Sequence, residues 1–483
     1  MRRALATVLE PVSGRSLVSI GAVGGISCDG NETSVSVVVD LFVPGHPQGE
    51  SIRRQCAAAI REALPRMTQV SVVASPPRQH GSGINAKVEA LAKVEHVILV
   101  SSCKGGVGKS TVSVNLAMTL AQRGLRVGLL DADVYGPSLP MLVQPVDATV
   151  RKVPGRPGFV QPLATKEGLK VLSFGHVNPR AATGAGGRGA AVMRGPIATR
   201  VINQLIAATD WGELDYLIVD MPPGTGDIQI TVTQTLAASG AVLVTTPHPL
   251  SLIDSAKGIA MFEDLKIKPL AIVENMSYFE CARGEVYHPF GLGGRDNFIN
   301  MLDGEWRRGG TGADARGAET GPSSVDRSLD ILRRCPMHKI PLDASVSSHS
   351  NDGPLVVRSP DCKISAVYSA LADDIIREIL RQQLDAQIMP SITYSESRGG
   401  VVLRYFQATQ VAEFVIPTQE LRLRDPKTGK RVPPPLPHTA AGAKPIHFDF
   451  KGNYGVAIQW SDGHYADIFP FDVLRDLAEE CKV

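Results

Sequence analysis

The chain has 483 residues, of which 43% are hydrophobic and 20% are charged, and its formal net charge is +2. This length predicts more than one globular domain. The nearly neutral balance does not favour a general nucleic-acid-binding protein. No apolar run approaches the roughly 20 residues that a membrane-spanning helix needs. We therefore expect a soluble intracellular protein that binds neither nucleic acid nor membrane.

The cysteines and the first residues bear on the compartment. Seven cysteines are scattered along the chain, and none belongs to a C-x-x-C pair. This usage argues against a disulfide framework and indicates a reducing compartment. The opening residues resemble neither a signal peptide nor a transit peptide. We expect either a cytosolic protein or one whose targeting segment is absent from this chain.

The first part of the chain, residues 1–80, is predicted to be a small α+β domain. Ser34–Val43 and Gln69–Ser75 read as strands, and Gly49–Leu64 has the spacing of a helix. Residues 81–94 are interpreted as a linker.

The pattern changes at residues 95–385, where short apolar runs alternate with helical stretches. Strands of this kind, joined by helical crossovers, indicate a mostly parallel sheet with helices on both faces. Two Gly- and Arg-rich segments, 178–191 and 304–324, are predicted to be flexible insertions. Residues 386–483 are aromatic-rich and strand-like, and they predict a small β-rich domain that ends in a short helix.

One loop is predicted to hold the phosphates of a nucleotide. It consists of Lys104, Gly105, Gly106, Val107, Gly108, Lys109, Ser110 and Thr111. The three glycines allow backbone N–H groups to turn inward before a helix that we expect to be amphipathic. Lys109 would reach the β- and γ-phosphates, Ser110 would bind Mg²⁺, and Thr111 would touch the α-phosphate. Cys103 replaces the first glycine of the usual pattern, and we interpret it as a small residue that fits the turn.

Acidic residues follow two other apolar strands. Asp220 ends the run DYLIVD and is expected to hold Mg²⁺ through water. Asp131 and Asp133 follow the run RVGLL, where a carboxylate can orient an attacking water. The alternative is that these acids only cap helices.

These motifs resemble a known family. KGGVGKST, DADVYGPSLP, MRGP, DYLIVDMPPGTGD, VENMSYF, HPFG and IPLD together are similar to the Mrp/ApbC branch of the MinD/ParA-like P-loop ATPases, which carry iron–sulfur clusters. Residues 1–75 resemble the Fe–S assembly domain often fused before such proteins. Residues 400–480 resemble the C-terminal domain of the plastid high-chlorophyll-fluorescence type.

The resemblance implies an α/β fold, with a central P-loop NTPase domain flanked by the two small domains. It also implies a homodimer in which Lys104 reaches the partner's nucleotide. By matching motif, Lys104, Lys109 and Asp133 would be catalytic, Asp220 would be the Walker B acid, and Asn275 would contact adenine.

The cluster site departs from the family pattern. Relatives often have a C-x-x-C pair after NMSYF, but here Cys281 is followed by Gly284. A [4Fe–4S] cluster usually takes four cysteine ligands, so one thiolate per chain would need other ligands, such as glutathione or another cysteine. Cys281 is thus either a ligand or an ordinary loop cysteine. His46 stands where relatives have a reactive cysteine; a histidine there can ligate iron, but we expect it to be solvated. Cys335 has metal-like spacing to His338, but it is predicted to pack in the core.

The phosphate-loop motifs predict a slow, Mg²⁺-dependent ATPase, and the resemblance implies that it carries [4Fe–4S] clusters to apoproteins together with cluster-assembly factors. One alternative is an ATP-dependent assembly partner that no longer holds a cluster. A second alternative is a ParA/MinD-like positioning ATPase. The resemblance implies the plastid stroma, and the cytosol stays open.

Overall fold

The computed structural model describes residues 1–29, 33–75, 88–178, 195–300, 303, 329, 331–343, 363–388, 390–407, 410–425, 431, 443–451, 455–463 and 468–481. The expected insertion at 304–324 lies outside these residues, as do 179–191 of the other insertion and 81–87 of the linker. The chain divides into two compact units. One comprises Met1–Val43, Gln48–Arg78 and Leu380–Val483, and the other comprises Pro44–Pro47 and Gln79–Ile379.

The N-terminal segment has the α+β content that its sequence predicts. Its elements are α1 (Arg2–Leu5), β1 (Val23–Cys28), β2 (Ser34–Asp40), α2 (Gly49–Ala63) and β3 (Gln69–Ser75). The central strand β2 pairs antiparallel with β1 and parallel with β3. It ends earlier than expected, and Phe42 just beyond it has a φ of 63°, which is incompatible with an extended strand.

An eight-stranded sheet forms the centre of the second unit. The strands are β4 (Val94–Ser101), β5 (Val127–Asp131), β6 (Leu163–Ala164), β7 (Lys170–Ser173), β8 (Leu214–Asp220), β9 (Gly240–Thr245), β10 (Pro269–Glu274) and β13 (Met337–Lys339). Their order in the sheet is β13-β10-β9-β4-β8-β5-β7-β6. Every neighbouring pair is parallel except β6 with β7. This confirms the predicted mostly parallel sheet. Two short strands, β11 (Phe279–Glu280) and β12 (Val286–Tyr287), form a separate hairpin.

Helices lie between these strands or follow the last of them. They are α3 (Lys109–Gln122), α4 (Leu139–Leu142), α5 (Phe174–Val177), α6 (Gly195–Ala208), α7 (Asp227–Thr235), α8 (Pro249–Asp264) and α9 (Lys363–Ile388). Residues 295–300 and 331–334 are also helical. None of the helices in the described ranges is both long and apolar enough to cross a membrane.

The helix after the phosphate loop differs from expectation. All side chains of α3 from Val112 to Ala121 are buried, so it is a core helix and the predicted amphipathic character is wrong. The polar side chains of this helix can be buried because they bond to the helix itself. The Asn115 amide donates to the Thr111 carbonyl, and the Thr119 hydroxyl donates to the Asn115 carbonyl.

The C-terminal segment is β-rich, as predicted. Its elements are β14 (Ser391–Ser395), β15 (Gly400–Gln407), β16 (Gln410–Pro417), α10 (Thr418–Arg422), β17 (Pro445–Lys451), β18 (Gly455–Trp460), β19 (Phe469–Pro470) and α11 (Phe471–Glu480). The strands form two antiparallel three-stranded sheets. Both sheets and α11 contribute to one core that includes Leu403, Trp460 and Leu474.

The central sheet leaves no room for a side chain at Gly128 of β5. A Cβ at this position would lie 2.7 Å from Leu214, 2.9 Å from Leu217 and 3.0 Å from Trp211. Gly195, which begins α6, would place its Cβ in open space.

We expect Gly128→Ala to lower the free energy of unfolding by about 1–3 kcal/mol, the usual cost of overpacking a core. The matched control Gly195→Ala should leave it unchanged or slightly raised. Urea denaturation followed by circular dichroism measures both. Equal stability of the two variants would contradict this account of the core.

Candidate nucleotide site and cysteine hairpin

The candidate site lies at the carboxyl edge of the central sheet. The phosphate loop follows β4, and the neighbouring strands β8 and β5 end in Asp220 and Asp131. These two aspartates are direct partners in the parallel pairing of their strands. The sheet therefore brings together a loop and two acids that are far apart in the sequence, as expected where parallel strands end.

The phosphate loop has the backbone conformation that its glycines allow. Gly106 and Gly108 have φ angles of 80° and 84°, in the left-handed region that favours glycine. A Cβ at Gly105 or Gly106 would meet no atom within 4 Å, so this part of the loop borders open space. Helix α3 begins directly afterwards at Lys109. Backbone N–H groups at this helix start suit an anion.

A buried ion pair lies beneath the loop. Lys109 Nζ is 2.7 Å from Asp220 Oδ1, and their side chains are only 7% and 3% exposed. The Ser113 hydroxyl donates to the same oxygen at 2.7 Å, and the Ser110 hydroxyl lies 3.4 Å from Nζ. Charges buried to this degree need partners, because an unpaired one is strongly destabilising. The pair therefore holds the loop lysine at the base of the candidate phosphate site.

Asp131 is fully buried and organises the chain that follows β5. Its carboxylate accepts hydrogen bonds from the Ser173 hydroxyl at 2.9 Å and from the N–H groups of Asp133 and Leu139 at 3.0 and 3.2 Å. Burial, followed by repulsion from Asp220, raises the pKa of Asp131 well above its ordinary value. Asp131 thus fixes the backbone that carries Asp133.

Asp133 is half-buried and borders a cavity of about 600 Å³ between the segments that follow β5 and β8. Its Oδ1 accepts the N–H groups of Tyr135 and Gly136 at 3.2 and 3.1 Å. The cavity is lined by Asp133, Tyr135, Gly136, Gly195, Pro222, Pro223, Gly226, Ile228 and Gln229.

Two residues at the start of the loop have contrasting environments. Lys104 is half-buried, and its ammonium group pairs with no residue in the described part of the chain. The thiol of Cys103 packs against α8, where a Cβ at Gly258 would lie 2.3 Å from the sulfur. Burial raises the pKa of Cys103 to about 11. Cys103 therefore acts as a small packed residue, in agreement with the interpretation of the turn.

The end of β10 contributes the predicted Asn275 and a residue that the sequence analysis missed. The Asn275 amide donates to the Val107 carbonyl of the phosphate loop at 2.9 Å. Its neighbour Glu274 is fully buried at the last position of β10. The sequence signal that could have identified Glu274 is its position at the end of an apolar strand. A carboxylate in such a buried position is found only with specific partners.

Cys281 lies in the turn of the hairpin formed by β11 and β12 and is half-buried. The Gly284 N–H donates to the Cys281 carbonyl at 2.9 Å, and Gly284 has a φ of 82°. A cysteine at position 284 would be strained in this left-handed conformation. The thiol of Cys281 donates a long hydrogen bond to the Glu285 carboxylate, whose oxygen is 4.0 Å from Sγ. The described residues contain no cluster of three or more potential metal ligands.

The remaining candidates lie apart from the loop. Cys335 is buried in the core, as predicted, and burial raises its pKa to about 12. His338 Nε2 lies 3.1 Å from Asp374. His46 is buried, with 9% of its surface exposed, so the expectation of a solvated side chain is wrong.

Family models match three segments. Residues 93–306 match a NUBPL iron-transfer P-loop NTPase, and residues 1–72 match an iron-sulfur cluster assembly protein. Residues 409–475 match a gamma-butyrobetaine hydroxylase-like N-terminal model.

Individual relatives extend this similarity. The chain is 32% identical over 483 residues to the chloroplastic Fe-S cluster assembly factor HCF101 of Arabidopsis thaliana, covering 98% of this chain and 82% of the relative. It is 42% identical over 294 residues to the iron-sulfur cluster carrier protein of Deinococcus radiodurans, covering 60% and 79%. A solved nucleotide-binding protein from Archaeoglobus fulgidus in complex with ADP has 30% identity, covering 60% of this chain and 91% of that chain, with a TM-score of 0.39. The match to the Arabidopsis relative over almost the whole chain confirms the predicted resemblance, and the chain belongs to the Mrp/ApbC-type family of P-loop ATPases.

Proposed function

We propose that this protein is an ATP-dependent carrier that delivers iron–sulfur clusters to apoproteins. The observation that carries the proposal is that Asn275, at the end of β10, is hydrogen-bonded to the phosphate loop, while the chain that follows the same strand forms the hairpin with Cys281. The names of the relatives, an Fe-S cluster assembly factor and an iron-sulfur cluster carrier, support the same class of cargo.

The nucleotide would bind with its phosphates against the loop from Gly105 to Thr111. Open space beside Gly105 and Gly106 and the buried lysine at the helix start both fit this group. Lys109 would exchange its contact with Asp220 for the β- and γ-phosphates. Ser110 and Asp220 would hold Mg²⁺, which neutralises phosphate charge when bound.

Hydrolysis would use the cavity beside Asp133. The Asp133 carboxylate would orient a water whose oxygen attacks the γ-phosphorus, while the bond to the β–γ bridging oxygen breaks and ADP leaves. Lys104, which has no partner among the described residues, would reach the nucleotide of a second copy and stabilise the transferring charge. This role requires a homodimer. We expect slow turnover, as suits a carrier.

The cluster would be held by Cys281 from each of two subunits. Two thiolates fall short of the four ligands that a [4Fe–4S] cluster usually takes, so glutathione or another cysteine would complete the set. A second candidate function is an assembly partner that no longer holds a cluster. It is favoured by the left-handed Gly284, which replaces the second cysteine of the usual pair.

We also infer three functional domains at 1–80, 95–385 and 386–483, joined by a linker at 81–94. The matched models at 1–72, 93–306 and 409–475 support this division. The plastid stroma is the proposed compartment, on the strength of the chloroplastic relatives, with the cytosol as the alternative.

Lys109 and Lys104 offer a matched pair of lysine variants. Lys109→Ala should abolish measurable binding of Mg·ATP in calorimetry and lower the unfolding temperature, because Asp220 and Asp131 would be buried without their cation. Lys104→Ala should keep the unfolding temperature and most of the ATP affinity but lose hydrolysis. Wild-type ATP affinity in Lys109→Ala would refute the proposed phosphate site.

Asp131→Asn tests whether Asp131 positions Asp133. An amide cannot accept all three hydrogen bonds that the carboxylate receives, so the loop with Asp133 should lose its fixed geometry. We expect kcat for ATP to fall by roughly 10-fold or more, within the usual contribution of a positioned acid–base group, while ATP affinity changes little. Asp133→Asn is the reference variant, and we expect it to lower kcat as well. If Asp133→Asn is slow but Asp131→Asn has the kcat of the wild type, Asp131 does not position Asp133.

Cys281→Ser tests the cluster ligand. After anaerobic reconstitution with iron, sulfide and glutathione, we expect the variant to bind much less iron and sulfide than the wild type. Cys28→Ser, which changes an exposed cysteine of the N-terminal segment, serves as the control. If Cys281→Ser keeps a full cluster, Cys281 is not a ligand. If wild type binds no cluster yet still matures client proteins, the assembly-partner function is favoured.

A further inference from the structure

Two successive side chains at the end of β10 bond to different loops. The Asn275 amide donates to the Val107 carbonyl at 2.9 Å, and Asn275 is only 8% exposed. This approach needs a glycine in the phosphate loop, because a Cβ at Gly108 would lie 2.2 Å from Asn275 Nδ2. Asn275 is thus fastened to the middle of the candidate phosphate site.

Glu274 closes the loop that carries Cys281. Its Oε1 accepts the Ser277 hydroxyl at 2.6 Å, and its Oε2 accepts the Gly294 N–H at 2.7 Å. These donors stand at the two ends of the chain segment from Ser277 to Gly294, which we call the cysteine loop. A Cβ at Gly293 would lie 2.1 Å from Oε1, so the close return of the chain also requires a glycine.

The link between the two side chains is short and constrained. Met276, the residue between Asn275 and Ser277, has a φ of 54°, which a non-glycine residue adopts only when its surroundings hold it there. The next residues are tied to the chain after β13, because Ser277 N–H donates to Ile340 and Leu342 N–H donates to Tyr278. Because the backbone between Asn275 and the cysteine loop is constrained in this way, a shift of Asn275 would also move the start of the cysteine loop.

On the basis of the proposed nucleotide site, we propose that Asn275 and Glu274 are positioning residues that transmit occupancy of the phosphate loop to the cysteine loop. Phosphate that binds the amides around Val107 fixes the peptide to which Asn275 is bonded. Ordering of Asn275 then orders Glu274 and the segment that it closes. Coupling of this kind travels through contacting groups and reduced mobility. A phosphate chain without a base is sufficient in this scheme.

The test measures the rate at which iodoacetamide alkylates Cys281, followed by peptide mass spectrometry. Calorimetry on the same samples establishes that Mg·ATP or Mg·tripolyphosphate is bound. For the wild type we expect either ligand to slow Cys281 alkylation severalfold and to the same degree. The exposed Cys28 of the N-terminal segment is the control within the chain, and its rate should not change.

The variants separate the link from the binding site. Asn275→Ala and Glu274→Ala should show the same Cys281 rate with and without bound ligand. Glu274→Gln, which can still accept the Gly294 N–H, should recover part of the response. Asn203→Ala on α6, whose side chain contacts Thr235, should respond like the wild type. Asn275→Asp, which lacks the donor but keeps the shape, replaces Asn275→Ala if the latter does not fold.

Three results would overturn the link: bound ligand that leaves the wild-type Cys281 rate unchanged, a response to Mg·ATP but not to Mg·tripolyphosphate, or a wild-type response in Asn275→Ala. The second result would assign the effect to base contact instead. Failure of both ligands to bind the wild type would instead refute the proposed nucleotide function itself, and the link with it.

Discussion

The contact between Lys109 and Asp220 is the interaction on which the candidate site depends. One ammonium group is buried beside Asp220, and the fully buried Asp131 occupies the partnered position on the next strand. Such a group of charges is stable in the interior only with close partners and further hydrogen bonds, which Ser113 and Ser173 supply. The close ion pair and these hydrogen bonds offset the desolvation cost of burying the charges. The ammonium group of Lys109 is therefore already in place when an anion approaches the loop.

The parallel sheet brings residues that are distant in the sequence to one edge. Strands β10, β9, β4, β8 and β5 are consecutive neighbours, and their carboxyl ends lie at the same edge. Residues that follow four different strands, β4, β5, β8 and β10, therefore lie at this one edge. At the same edge, the phosphate loop is hydrogen-bonded through Val107 to Asn275, which stands just before the cysteine loop.

The hairpin around Cys281 has a turn whose backbone suits the residue that replaces the second cysteine of the family pattern. Gly284 has a left-handed backbone that suits glycine and disfavours cysteine. The hairpin also exposes apolar side chains, including Phe279, Val286 and Tyr287. The turn thus presents one thiol, and under the proposed carrier function any further cluster ligands would come from outside the hairpin.

The sequence by itself determined the phosphate loop, the strands that end in Asp131 and Asp220, the mostly parallel sheet and the β-rich C-terminal segment. Each of these rests on local signals: glycines before a helix, apolar runs of strand length, and acids at strand ends. The sequence did not reveal that α3 is buried on all sides, that His46 is buried, or that Glu274 closes the cysteine loop. These features depend on contacts between residues distant in the chain, such as Glu274 with Gly294, which no local pattern encodes. Only the tertiary structure decided them, because burial and hydrogen-bond partners are set by how the strands and loops pack together.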